Sequence, residues 1–286
     1  LFASGIPIVQ PDVVVPYVSV LAKHQAPKAE IEEKCPVIVA YDRGYKTYGH
    51  FIIDVLPRLL IAEKMLGGDF GGAPILLPNQ LPAWGREIFD LIFPNAETIS
   101  FDSEKYSLRL RRAILPTHCH NYYMFHPIAK SFFQNLLERA KPIAPAEPAD
   151  FIFLSRANMH SNRRVADYEA LTEHAASLGA KILEPEQMIW REQLGYFVGA
   201  KLIIGEYGSA LHNTVFSRNG VRTFAINRLQ FLQSFIGALN RQRLTYVLPS
   251  SVHVENGIEH LKFDNEALKQ TFNLLVKEEI GCQTDH

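Results

Sequence analysis

Residues 151–204 read FIFLSRANMHSNRRVADYEALTEHAASLGAKILEPEQMIWREQLGYFVGAKLII. Three short apolar runs, Phe151-Ile-Phe-Leu154, Lys181-Ile-Leu183 and Lys201-Leu-Ile-Ile204, alternate with two segments of helical character. An apolar run of this length, with no polar residue on alternate positions, suits a parallel strand buried on both faces. The spacing predicts a helix over 167–178, with Asp167 as its N-cap and Gly179 just past its end. A second helix is predicted over 188–198. Beyond 204 the pattern continues: helix over 208–216, strand over 222–226, helix over 231–239 and strand over 244–248. An amphipathic helix over 265–279 closes the chain. Strand–helix alternation of this kind predicts a doubly wound parallel sheet.

Ahead of this block, Lys141-Pro-Ile-Ala-Pro-Ala-Glu-Pro-Ala-Asp150 carries three prolines in ten residues, which disfavour a helix and predict an extended linker. The expected division is therefore a first domain over 1–140, a linker over 141–150 and a second domain over 151–286. The first part is less regular. Strands are predicted over 36–40, 73–77 and 111–115, and helices over 51–65 (around a proline), 84–92 and 128–140. A second α/β domain is the reading these segments support.

The chain has 286 residues, 47% of them hydrophobic, and a formal charge of −1. A near-neutral balance gives no support to a phosphate-backbone binder, so no nucleic-acid partner is expected. Cys35, Cys119 and Cys282 are scattered and odd in number, which points to a reducing compartment rather than a disulfide framework. No apolar run reaches the roughly 18–20 residues of a membrane span, so the expected location is cytoplasmic or peripheral to a membrane. The chain begins at Leu1 rather than Met and reads as a processed or trimmed piece. The glycine-rich turns of dinucleotide enzymes and P-loop NTPases are absent, as is the GxSxG elbow of α/β-hydrolases. His118-Cys119-His120 is an isolated HxH with no second ligand cluster in the sequence. Asp102-Ser-Glu104 is a poor stand-in for an Asp-x-Asp metal clamp, so no metal is expected. The aromatic stretch Asn121-Tyr-Tyr-Met-Phe-His126 suits either a sugar-stacking surface or packing between domains.

Three segments carry polar groups in patterns with chemical meaning. In Tyr48-Gly-His-Phe-Ile-Ile-Asp-Val-Leu-Pro-Arg58, a helix would put His50 and Asp54 on one face, with Arg58 one turn further on. A carboxylate reaching one imidazole nitrogen raises the basicity of the other, which a general base for a sugar hydroxyl needs. Arg58 would bind an anion or hold Asp54 ionised. The plainer alternative is a helix start at which His50 caps and Asp54 pairs with Arg58. In the second segment, the strand over 151–154 ends in Ser155-Arg156, and Arg163 and Arg164 follow seven and eight residues later. Strand carboxyl ends form the ligand crevice of a doubly wound sheet, and guanidinium forks match phosphate oxygens. The alternative here is a solvated loop paired with surface acids. In the third, Gly205-Glu-Tyr-Gly-Ser-Ala-Leu-His-Asn213 runs from a strand through a glycine turn into a helix. Backbone N–H groups there, with Ser209, would hold an anion, and Gly208 would permit close approach. Glu206, Tyr207, His212 and Tyr48 are supporting candidates.

The order of these segments resembles the family 61 glycosyltransferases, whose bacterial members are often labelled capsular polysaccharide biosynthesis proteins. The likeness covers roughly residues 40 to 230 and includes Leu183-Glu-Pro-Glu-Gln187 and Glu192-Gln193. It implies an inverting, metal-independent transferase of GT-B type, with two facing Rossmann-like domains and a last helix that crosses back onto the first. The substrate would be a nucleotide-sugar donor, a UDP-sugar first, with a glycan hydroxyl as acceptor and no resident cofactor. By the same resemblance, Ser155, Arg156 and Arg163 match the donor-diphosphate residues, with Arg164 the adjacent alternative. Gly208, Ser209 and Asn213 match the later motif, where Tyr207 stands in place of the family's usual His. His50 and Asp54 match its H…D pair. The contrasting expectation is a non-catalytic nucleotide- or glycan-binding module of a larger assembly protein.

Overall fold

The computed structural model describes residues 2–3, 6–7, 28–30, 36–41, 43–102, 105, 107–121, 124–156 and 163–281. Cys35, Ser103, Glu104, Tyr122, Tyr123, the 157–162 part of the basic loop and Cys282 lie outside them. Among the described residues, no helix is long and apolar enough to cross a membrane.

The protein is a mixed α/β chain built on parallel sheets, and it divides into two compact units. One comprises Leu1–Lys46 and Asp54–His118; the other comprises Thr47–Ile53 and Cys119–His286. The boundary at His118 falls ahead of the expected linker, and the physical reason is visible in the second unit. The helix Ala129–Ala140 packs Phe133 edge-on against Phe216. Arg191 Nε donates to the carbonyls of Ala140 and Lys141, and Ile143 N donates to Arg191 O at 3.0 Å. The proline-rich stretch is thus fastened along the helix Trp190–Gly199.

In the first unit, four strands form a parallel sheet in the order Thr98–Phe101, Ile75–Pro78, Val37–Ile38, Ala113–Ile114. Val37, Val39 and Leu76 are buried with Tyr41, Ile99 and Leu115 packed on them. The helices Leu56–Leu66 and Ala83–Ile92 belong to this unit. The helix expected over 51–65 is not uniform. An α-helical turn Tyr48–His50 leads into a π-helical turn Phe51–Val55, and the α-helix resumes at Leu56. Pro57 has no N–H to give, and its ring crowds the carbonyl one turn earlier, which the widened turn relieves.

The second unit holds a five-stranded parallel sheet in the order Lys181–Leu183, Phe151–Leu154, Leu202–Glu206, Arg222–Ile226, Arg243–Val247. Both faces are covered, as the unbroken apolar runs require. Phe151 and Phe153 pack with Leu171, Phe224 and Phe272, while Ile152 and Leu154 pack with Phe197, Ile203 and Leu211. The last helix, Asn265–Glu279, lies on this same sheet through Leu268, Phe272 and Leu275. Phe272 meets Phe153 and Phe224 there, and the helix is counted with the second unit. Asp167 is not the N-cap by side chain. It adopts φ 53°, and its carboxylate accepts from Asn265 Nδ2. Residues Arg163–Val165, Ile258–Lys262 and Ser251–Glu255 form a separate three-stranded sheet. Its hairpin turns at Asn256 and Gly257, both at positive φ.

Gly195 gives a direct test of the proline-rich clasp. A Cβ at this position would stand 1.9 Å from the carbonyl oxygen of Ile143. Helix propensity alone favours Gly195→Ala by about 1 kcal/mol. The clash with backbone outweighs it, and we expect net destabilisation of about 1–3 kcal/mol. A urea midpoint that rises in this variant would refute the close packing.

Candidate functional site

The polar groups of the second unit collect where its strands end. Phe151–Leu154 is apolar to its last residue, so the first side chains past it, Ser155 and Arg156, are the first able to leave the core. Ser155 is buried, and its N–H donates to Leu183 O at 2.8 Å. The neighbouring strand is in parallel register, Leu154 opposite Gly205, so Glu206 follows at the same level. Arg156 Nε stands 3.6 Å from Glu206 Oε2, with the two side chains 13% and 6% exposed. The next strand ends at Ile226, and Asn227 Nδ2 donates to Glu206 Oε1 at 3.2 Å. Arg228 follows and pairs with Glu259 at 2.7 Å.

Arg163 reaches the same group from another direction. It opens the strand Arg163–Val165, whose register sets it opposite Glu259. Its Nη2 donates to Tyr207 O at 3.4 Å. Successive residues of a strand point to opposite faces, so Arg163 turns inward while Arg164 is exposed. Burial lowers the Arg163 guanidinium; Glu206 opposes this, and Arg156 and Arg228 add to it. For Glu206, burial raises the carboxyl above its usual range, against Arg156, Arg163, Asn227 and Arg228, which pull it down. Tyr168, whose hydroxyl donates to Leu154 O at 2.8 Å, has its phenol raised by burial and by Glu206. Three guanidiniums and two carboxylates therefore share one small volume. Such a set can grip a dianion, because the cations are already gathered before the ligand arrives.

Gly208 makes this gathering possible. Its backbone is extended, φ 179°, so its conformation suits any residue. What the glycine leaves is space for Arg156: a Cβ would lie 2.0 Å from Nη1 and the guanidinium end would have to move. The segment Ser209–Phe216 is a 3₁₀-helix rather than the expected α-helix. Ser209 is half-buried at its start, while His212 and Asn213 are buried within it.

Asn213 does not belong with the arginines. It is fully buried, accepts from the Tyr48 hydroxyl at 2.7 Å and donates to Gln193 Oε1 at 2.9 Å. Gln193 in turn donates to the carbonyls of Pro185 and Met188. Gly49 lies so close to His212 that a Cβ would stand 2.0 Å from its Nδ1. Tyr48, Gly49, Gln193, His212 and Asn213 thus form one buried polar joint inside the second unit. Burial raises the Tyr48 phenol, and its bonds to Asn213 and Trp190 oppose that.

In the first unit, Asp54 sits in the π-helical turn and is 6% exposed. Its Oδ1 stands 3.8 Å from His118 Nδ1. Arg58 is buried, and its Nε donates to Pro116 O at 2.7 Å, a partner the helical spacing does not foretell. His50, in contrast to Asp54, is exposed. Sequence reasoning missed His118, Gln193, Asn227, Arg228, Glu259 and Tyr168 as members of these groups. The Asn256-Gly257 turn between two alternating runs is the one local signal that would have placed Glu259 on a strand.

A protein-family model described as Glycosyltransferase 61 matches residues 48–224, more than half of the chain. No curated protein matches it. The matched span opens at Tyr48 of the buried joint and contains Arg156, Arg163 and Glu206; Arg228 and Glu259 lie beyond it.

The buried joint predicts its own cost. Asn213→Ala removes the acceptor of the Tyr48 hydroxyl and the donor to Gln193 Oε1 in a buried place, and we expect a loss of about 2–4 kcal/mol in unfolding free energy. Tyr48→Phe leaves no cavity but takes away the hydroxyl bonded to Asn213 and Trp190, and it is expected to cost about 1–3 kcal/mol. Equal and negligible shifts in the two variants would show that the amide is not a structural member.

Proposed function

The chain belongs to the Glycosyltransferase 61 family, and from that premise we propose an inverting, metal-independent glycosyltransferase. It moves a sugar from a nucleotide-sugar donor, a UDP-sugar first, to a glycan hydroxyl in surface or capsular polysaccharide synthesis. The observation that carries this reading is the convergence of Arg156, Arg163 and Arg228 at the strand ends around Gly208. Guanidinium groups there supply the positive charge that a departing nucleoside diphosphate needs. The proposal keeps the GT-B organisation of two Rossmann-like domains, with the donor held by the second unit.

In this mechanism a base takes the proton of the acceptor hydroxyl. The freed oxygen attacks the anomeric carbon from the face opposite the phosphate, and a new C–O bond forms. The bond from that carbon to the diphosphate oxygen breaks, the electron pair leaves with the nucleoside diphosphate, and configuration inverts. Asp54 is the proposed base, with His50 as the alternative. His118 Nδ1 stands 3.8 Å from the Asp54 carboxylate and is its neighbouring imidazole in this scheme.

Two experiments test this. Incubation with a panel of UDP-, GDP- and CMP-sugars plus a glycan acceptor should release free nucleotide, and release should persist in EDTA. Activity abolished by the chelator and restored by manganese would remove the metal-independent part. Asp54→Asn is expected to lower kcat by about 10²–10⁴-fold while leaving nucleoside diphosphate affinity near wild type. Wild-type turnover in both Asp54→Asn and His50→Gln would eliminate the base assignment.

A further inference from the structure

A pocket for an anion does not require an acid, yet a carboxylate stands inside this one. Glu206 is 6% exposed, 3.6 Å from Arg156 through Oε2, and bound to Asn227 Nδ2 through Oε1. Arg163, Arg228 and the Tyr168 phenol face it from three further elements, and Glu259 draws on Arg228 from a fourth. A diphosphate that engages Arg156 must bring its negative oxygens close to Glu206, and at low local dielectric two such charges repel strongly. The carboxylate is fixed in place by Asn227 and by the buried strand that ends in it, so it cannot simply swing out to solvent.

We infer that Glu206 is the resident counter-ion of the donor-phosphate site: it positions Arg156 and Arg163 in the empty protein and takes up one proton from solvent when a nucleotide-sugar binds. This rests on the donor reading given above. In the empty site the carboxylate fills the role of the absent phosphate and keeps three cations from repelling one another apart. On binding, the carboxylate oxygen gains the proton, the guanidiniums pass to the phosphate oxygens, and no bond to the donor is made or broken. Burial already biases Glu206 toward its neutral form, with Arg156 the chief opposing charge. A ligand that occupies Arg156 and adds negative charge pushes in the same direction as burial. The sign follows: the bound state holds more protons, so affinity falls as pH rises through the window between the two states, by up to about tenfold per pH unit.

The test uses the full chain and two probes, UDP-glucose and GDP-mannose, whose phosphates are esters with no titrating proton near neutral pH. Calorimetric titration in two buffers of different ionisation enthalpy reads the protons taken up. Wild type is expected to take up a substantial fraction of one proton, and Glu206→Gln close to none, with affinity no longer dependent on pH. Asn227→Gly, which tolerates the positive φ and removes a bond that favours the ionised carboxylate, is expected to move the uptake window to higher pH. That variant keeps the test sharp if Glu206→Gln does not fold. Binding of either probe with no proton uptake in wild type, or with equal uptake in Glu206→Gln, overturns the inference alone. Failure of both probes to bind strikes first at the donor reading, and the role of Glu206 falls with it.

Discussion

Two parallel strands, one apolar to its last residue and the other ending in Glu206 itself, stop side by side and make the Arg156–Glu206 pair possible. A sheet buried on both faces has no room for charge along its length, so its charged groups lie at the strand ends. The register that pairs Leu154 with Gly205 is itself tight: a Cβ on Gly205 would stand 2.8 Å from that of Leu154. Close strand packing below and a glycine gap above at Gly208 together set where the guanidinium of Arg156 can lie. Buried ion pairs seldom add net stability, because desolvation offsets the Coulomb gain. A gain in folding stability alone therefore does not account for their presence at a strand end.

The buried joint at Tyr48, Gln193 and Asn213 has the opposite character. Its members are neutral, its donors and acceptors are matched, and its stability contribution is that of hydrogen bonds which would be costly to leave unmade. It also explains why Thr47–Ile53, distant in sequence from Cys119–His286, belongs to the same compact unit. The tyrosine phenol and the amide of a 3₁₀-helix residue hold a short segment that no sheet hydrogen bond reaches. Residues that resemble a family's site motif divide here into two groups. Arginines and Glu206 gather as charge, whereas Asn213 and Tyr48 hold the frame around it.

The second unit's sheet was legible because its strands are short, mostly apolar runs that alternate with helical segments. Phe151–Leu154, Lys181–Leu183 and Arg222–Ile226 fall on the residues that local pattern selects. Short strands were not legible. Arg163–Val165 carries two arginines and one valine, and it is a strand only because Ile258–Lys262 pairs with it from almost a hundred residues away. Arg163 owes its place in the cluster to that long-range pairing, which no window of sequence contains. The π-helical turn at Phe51–Val55 was hidden for a related reason. Pro57 announces a disturbed helix, but whether the chain breaks, kinks or widens depends on what the turn packs against. His118 stands in an isolated HxH in the sequence because its neighbour in space, Asp54, lies sixty-four residues earlier.

Asn227 shows how the fold sustains a costly geometry at the cluster. Its φ of 110° is unusual for any residue with a side chain, and such conformations cost on the order of 1–3 kcal/mol unless the surroundings compel them. Two bonds compel this one. The backbone N–H donates to Val247 O at 2.9 Å, extending the sheet by one residue, and the side-chain amide donates to Glu206. The first bond turns the chain out of the strand, and the second needs the side chain aimed back over the neighbouring strand's end. Both bonds are made here at positive φ, and asparagine is among the few residues that tolerate it while offering a donor. The chain therefore leaves the sheet with Arg228 already directed toward Glu259 and toward the other two guanidiniums. The residue that binds Glu206 at positive φ thus stands directly before the third cation of the cluster.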